Sequence, residues 1–104
     1  MLLTETLPSF AAELEELLKK GGHAELAARV SALKIVDRCR CGDDFCASFY
    51  TECKPQGSYG ASHRCVELEP ETGMLILDVV ADKIVHVEVL YRPDIREKLL
   101  VSYP

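Results

Sequence analysis

Gly73-Met74-Leu75-Ile76-Leu77-Asp78-Val79-Val80-Ala81-Asp82-Lys83-Ile84-Val85-His86-Val87-Glu88-Val89-Leu90-Tyr91 is the stretch that decides the fold. Two runs rich in Val, Ile and Leu flank a short polar turn, which is the signature of a β-hairpin. A three-residue loop at 81–83 pairs Val80 with Ile84. In that register Leu75, Leu77, Val79, Val85, Val87 and Val89 share one apolar face. The other face carries Ile76, Asp78, His86, Glu88 and Leu90, with Asp78 directly across from His86. A slip of one residue would drive Asp78 into the apolar face, so the unslipped register is preferred.

Working outward, the same two-residue alternation predicts further strands at 34–40, 45–52 and 63–69, besides 73–80 and 83–91. Gly42-Asp43-Asp44 and 69–73 read as turns, and 54–60 as a loop. None of the links is long enough to hold a crossover helix, so the sheet is expected to be an antiparallel meander. Before residue 34 the period changes. Phe10, Leu14, Leu17 and Leu18 form one stripe of a helix over 6–20, with Thr6 as its cap and Pro8 in its first turn. Glu13, Glu15, Glu16, Lys19 and Lys20 fall on the wet side, and Gly21-Gly22 ends the helix. A second helix at about 24–33 carries Leu26, Val30 and Leu33. Pro93 opens a last helix, 93–101, with Ile95 and Leu99 turned inward. The expectation is one α+β domain over 1–104: a helical hairpin packed on a four- or five-stranded, mostly antiparallel sheet, closed by a short C-terminal helix.

Bulk composition narrows the function classes. The chain has 104 residues, 48% hydrophobic and 28% charged, enough to bury a core without a disulfide or metal to hold it. The net charge of −5 and pI near 5.1 disfavour nucleic acid as a partner. No apolar run reaches the length of a membrane span, and the N-terminus does not read as a signal peptide. Five cysteines, an odd number, then argue for reduced thiols and a cytoplasmic location.

Four constellations carry chemistry. Cys39-Arg40-Cys41-Gly42-Asp43-Asp44-Phe45-Cys46 offers three soft ligands, and His63, Cys53 or Cys65 a fourth. The spacing is not that of a standard zinc motif. With a turn at 42–44, Cys39 and Cys41 share a face with Phe45, Ala47 and Phe49. Both cysteines are then expected to lie mostly buried beside Phe45 and Phe49, unbridged and without metal, as small hydrophobes. Arg38 and Arg40 mark the opposite parity as the wetter one. A four-residue turn at 41–44 would instead set Cys39 across from Cys46 and favour a metal or redox pair. His63 and Cys65 share one strand face, which is the raw material of a Cys–His nucleophile. Asp78, His86 and Glu88 form a polar group on the outer sheet face, read either as a cross-strand ion pair or as a binding surface. The loop 54–60 brings Tyr59 as a binding aromatic.

The segment from Ile35 to Tyr50, with Cys-x-Cys-Gly and Phe-Cys, followed by His63-Arg64 and Gly73 to Tyr91, resembles a family of small uncharacterised bacterial proteins. The 73–91 hairpin resembles a further short domain of unknown function. Neither resemblance implies an activity. In size and charge the chain is similar to bacterial immunity proteins. The residues point to a small non-enzymatic binding or interaction protein, partnered by another protein or by a second copy of itself, with no cofactor. Two alternatives stay open: a zinc-binding protein using Cys39, Cys41 and Cys46 with His63, and a small Cys–His enzyme.

Overall fold

The computed structural model describes residues 1–54 and 56–104; Pro55, in the loop expected at 54–60, lies outside them. The chain begins with a helical turn, α1 (Leu3–Thr6), and a longer helix, α2 (Pro8–Lys20). The short α3 (Ala24–Ala27) and a 3₁₀ turn (Val30–Ala32) follow. Five strands come next: β1 (Asp37–Arg38), β2 (Phe49–Tyr50), β3 (His63–Leu68), β4 (Met74–Val80) and β5 (Lys83–Leu90). α4 (Pro93–Ser102) closes the chain. The sheet order is β1-β2-β5-β4-β3, and every pairing is antiparallel. This is the expected α+β architecture. It departs from a simple meander in one respect: β2 pairs with β5, so the chain crosses to the far edge before β3 begins.

α2 ends where its glycines require. The His23 amide donates to the Leu18 carbonyl at 2.8 Å and the Gly22 amide to the Lys19 carbonyl at 3.2 Å. Gly22 takes φ of 82°, so this is a glycine-terminated double cap on the last carbonyls. The start differs from expectation. Thr6 belongs to α1 and does not cap α2; Leu7 occupies the cap position, with no side-chain cap bond. The Thr6 hydroxyl is buried without a hydrogen-bond partner among the described residues.

The 73–91 hairpin carries the sheet. Its turn holds two residues rather than three: Val80 faces Lys83, and Ala81 and Asp82 both adopt positive φ, 49° and 64°. That is the backbone of the mirror-image turns favoured in hairpins. A bulge beside Val79 then adds one residue on β5, so that Asp78 still faces His86 as the alternation requires. Leu75, Leu77, Val79, Ile84, Val87 and Val89 are all almost fully buried. Val85, expected on that inner face, is the bulged residue, and Ile84 takes its place.

The inner face also receives Phe49, Ala47, Val66 and Leu68 and packs against Phe10, Leu14 and Leu18 of α2 and Ile95 and Leu99 of α4. Phe10 and Phe49 meet edge to face at 6.1 Å. Arg92, between β5 and α4, forks onto Glu13 of α2 with bonds of 2.9 and 2.8 Å, tying helix layer to sheet. The opposite face is left for chemistry.

Candidate functional site

Cross-strand register sets the outer face. Asp37 faces Tyr50, Tyr50 faces His86, His86 faces Asp78, and Asp78 faces Cys65. One row of side chains thus crosses all five strands. Among the described residues, two clusters of ligand atoms lie near the ends of this row.

The first is the thiol cluster. The β1–β2 pairing places Arg38 opposite Phe49, and the Cys39 amide donates to the Ser48 carbonyl at 2.8 Å. The paired strands end there, and the link between them carries Cys41 and Cys46, with the Cys46 amide donating to the Asp43 carbonyl at 3.3 Å. Neither turn considered from the sequence is the one adopted. Cys39 is separated from Cys41 by one residue and so shares its face. The three sulfurs lie within 4.8 Å of one another. All are free thiols; Cys41 is exposed, and Cys39 and Cys46 are half-buried.

The expected burial of Cys39 and Cys41 beside Phe45 and Phe49 is therefore incorrect. Phe49 is buried in the core, but Phe45 is 41% exposed and stacks on Tyr91 instead. The error lies in Arg38. Its guanidinium occupies the parity taken as wet because it finds partners there, donating to the carbonyls of Cys39, Tyr103 and Pro104. The cysteines take the other parity.

A small cavity of about 30 Å³ adjoins the thiols, lined by Asp43, Ser48, Arg38 and Arg96 among others. That is room for one water or one ion. Burial pushes the Cys39 thiol up to about 11, helped by the neighbouring sulfurs. Burial also raises Cys46, but hydrogen bonds with Ser48 and the other two thiols outweigh it, and its net shift is downward. The Cys46 thiol donates to the Ser48 hydroxyl at 3.4 Å. Cys46 thus ionises before Cys39. The cluster could hold a metal ion.

The second cluster centres on Asp78. Its Oδ1 lies 2.7 Å from His63 Nε2 and 3.5 Å from Cys65 Sγ, and its Oδ2 lies 3.0 Å from His86 Nδ1. Burial raises the Asp78 carboxyl, but the bonds from His63, Cys65 and His86 prevail and hold it below the usual carboxylate range. Cys65 moves the other way: what burial it has, its bond to Asp78 and the charges of Asp78, Glu67 and Glu88 all raise it. Tyr50 packs on the His86 ring at 4.6 Å and Tyr59 on the His63 ring at 4.9 Å.

Against the sequence reading, the Asp78–His86 pair is present and Tyr59 adjoins it through His63. Glu88 stands opposite Ile76 and acts on the group through its charge alone. His63 does not join the thiol cluster. It lies on β3, the far edge strand from β1, and binds Asp78 instead. Cys65 goes with it, and Cys53 is exposed outside both groups of ligand atoms. The Cys–His pair lacks the geometry of a nucleophile relay: Cys65 is 3.9 Å from His63 Nε2, the same nitrogen that Asp78 engages. Sequence reasoning missed Tyr50 and the link from Asp78 to His63; the shared parity of His63 and Cys65 was the one signal for the latter.

No helix among the described residues is long and apolar enough to cross a membrane. No protein-family model matches the chain. No curated protein and no solved structure matches it either.

Proposed function

We propose that this protein binds a zinc ion through Cys39, Cys41 and Cys46. The observation that carries the reading is the convergence of three sulfurs within 4.8 Å outside the hydrophobic core. Tetrahedral zinc with bonds of ~2.3 Å holds its sulfurs about 3.8 Å apart, so side-chain rotations of about 1 Å complete the set. The Asp43 carboxylate lies outside the group of converging ligand atoms, so water taken up from the adjoining cavity would fill the fourth position. Arg38 and Arg96 line the same cavity, and their charge favours three thiolates in one place. A core role for these cysteines has no comparable support, since Cys41 is exposed.

The test is metal analysis of the reduced protein together with cobalt titration. Sulfur-to-cobalt charge-transfer absorption should appear with an intensity that reports three thiolates, and zinc should displace it. Cys39→Ser and Cys46→Ser should each reduce zinc affinity more than ~100-fold, beyond what loss of an outer-shell partner costs. Absence of that absorption in the reduced wild-type chain would refute the reading.

A second reading, a protein-interaction surface, draws on the exposed Phe45–Tyr91 stack, 5.4 Å between rings, and on Met74, 47% exposed. Sedimentation of the purified chain over a concentration series tests its simplest form, self-association.

A further inference from the structure

We propose a second metal site on this face, at His63, Cys65 and Asp78, with one coordination position open to solvent and with His86 as the residue that orients the carboxylate. The geometry is independent of the thiol cluster. Continuing the antiparallel register places Cys46 across from Leu90, four residues along β5 from His86, and so about 13 Å distant along the strand direction.

Three donors of different chemistry converge here. His63 Nε2 and Asp78 Oδ1 are 2.7 Å apart, Cys65 Sγ and Asp78 Oδ1 3.5 Å, and Cys65 Sγ and His63 Nε2 3.9 Å. Zinc bonds of ~2.0–2.1 Å to nitrogen and oxygen and ~2.3 Å to sulfur put tetrahedral ligand atoms roughly 3.3–3.6 Å apart. The sulfur–oxygen edge already has that length. The nitrogen–oxygen edge must open by about 0.6 Å and the sulfur–nitrogen edge close by about 0.3 Å. Both changes are small rotations of half-exposed side chains. An ion entering the triangle replaces the His63–Asp78 hydrogen bond with two bonds to metal.

Charge favours the same arrangement. One carboxylate, one thiolate and a neutral imidazole cancel the two positive charges of zinc, so the filled site is neutral. The second oxygen of Asp78 is held by His86 Nδ1 at 3.0 Å, which fixes the carboxylate plane and points Oδ1 at the other two donors. The rings of Tyr50 and Tyr59, against His86 and His63, restrict both imidazoles. Among the described residues no fourth protein ligand joins the triangle, so water or a small exogenous anion or thiol would take that position. Three protein ligands with an open fourth position are the arrangement of zinc sites that exchange ligands, unlike closed structural sites.

The experiment is cobalt and zinc titration of a chain in which Cys39, Cys41 and Cys46 are all alanine. The expected result is one remaining equivalent, with charge-transfer absorption from a single sulfur. Cys65→Ala should abolish that absorption, Asp78→Asn should weaken binding at least ~10-fold, and His86→Phe should weaken it ~10–100-fold without abolishing it. Should the triple variant fail to fold, the intact chain serves: Cys65→Ala should lower zinc content by one equivalent and leave the three-thiolate absorption unchanged. No metal bound by a folded triple variant, or equal zinc content in wild type and Cys65→Ala, overturns the proposal. Either result leaves the thiol site to be judged on its own variants.

Discussion

Arg92 is the side chain whose removal should most clearly separate a real tertiary tie from a surface ion pair. Its guanidinium meets Glu13 in a two-bond fork at 2.9 and 2.8 Å, and its side chain is 11% exposed against 28% for Glu13. Glu13 and the nearby Asp94 hold the Arg92 charge firmly, raising it further against the opposing effect of burial. A hydrogen bond to a charged group contributes about 1.5–3 kcal/mol. Partial exposure of Glu13 brings the pair toward the low end of that range. Arg92→Ala also removes an aliphatic stem that rests on Gly73 and a cation 6.0 Å from the Phe10 ring. The expected loss is about 2–3 kcal/mol, or a fall in Tm of roughly 10 °C or more for a domain of this size. Glu13→Gln should cost about 1 kcal/mol, and the double variant should reveal a coupling of about 1 kcal/mol. Urea unfolding followed by far-ultraviolet circular dichroism measures all four corners of the cycle. Coupling indistinguishable from zero would mean the fork is a solvated contact and that apolar packing alone seats α2.

Two further expectations follow from the same structure. Gly73 holds φ of 76°, and a Cβ there would stand 2.4 Å from the Leu90 carbonyl oxygen; Gly73→Ala should cost about 2 kcal/mol or more in urea unfolding, and a loss below about 0.5 kcal/mol would contradict the close approach. Tyr103 donates its hydroxyl to the Ile35 carbonyl at 3.0 Å, and burial followed by the Asp37 charge raises its phenol above the usual value. An acid whose folded value is raised contributes stability in full below the unfolded value of about 10 and loses it as pH rises through the folded one. Tyr103→Phe should therefore cost about 1 kcal/mol at neutral pH and progressively less above pH ~10, with a wild-type-minus-variant ultraviolet titration placing this phenol late.

Fold class was legible because period is a local property. Phe10, Leu14 and Leu18 recur at helical spacing and are buried, and Leu75, Leu77, Val87 and Val89 alternate and are buried. Register was less so, since it depends on turn backbone that composition does not announce. Ala81-Asp82 adopts a turn usually marked by Asn-Gly, and the compensating bulge beside Val79 restored the Asp78–His86 pairing by another route. The path of the sheet was hidden for a different reason. β1 and β2 are two residues each, too short to show alternation, so the pairing of β2 with β5 rests on long-range contacts of Phe49 with Val87.

The candidate sites illustrate how one residue of register decides chemistry. A turn confined to 69–73 would place Arg64 opposite Asp78 and pair a guanidinium with the carboxylate. The observed ladder begins with Leu68 opposite Leu75, and that single step sets Cys65 across from Asp78 and brings His63 onto the same face within hydrogen-bonding reach. The step is favoured by the core: it places Val66 opposite Leu77 and keeps Val66 and Leu68 inward, whereas the alternative would turn those two outward. The thiol cluster obeys the same logic at the other end of the face. Arg38 takes the parity opposite Phe49 because the carbonyls of residues 103 and 104 accept its guanidinium, and that choice commits Cys39 and Cys41 to the side of Cys46. The polar face is thus positioned from behind: apolar burial fixes the strands, and the ligand atoms converge because alternation leaves them no other side.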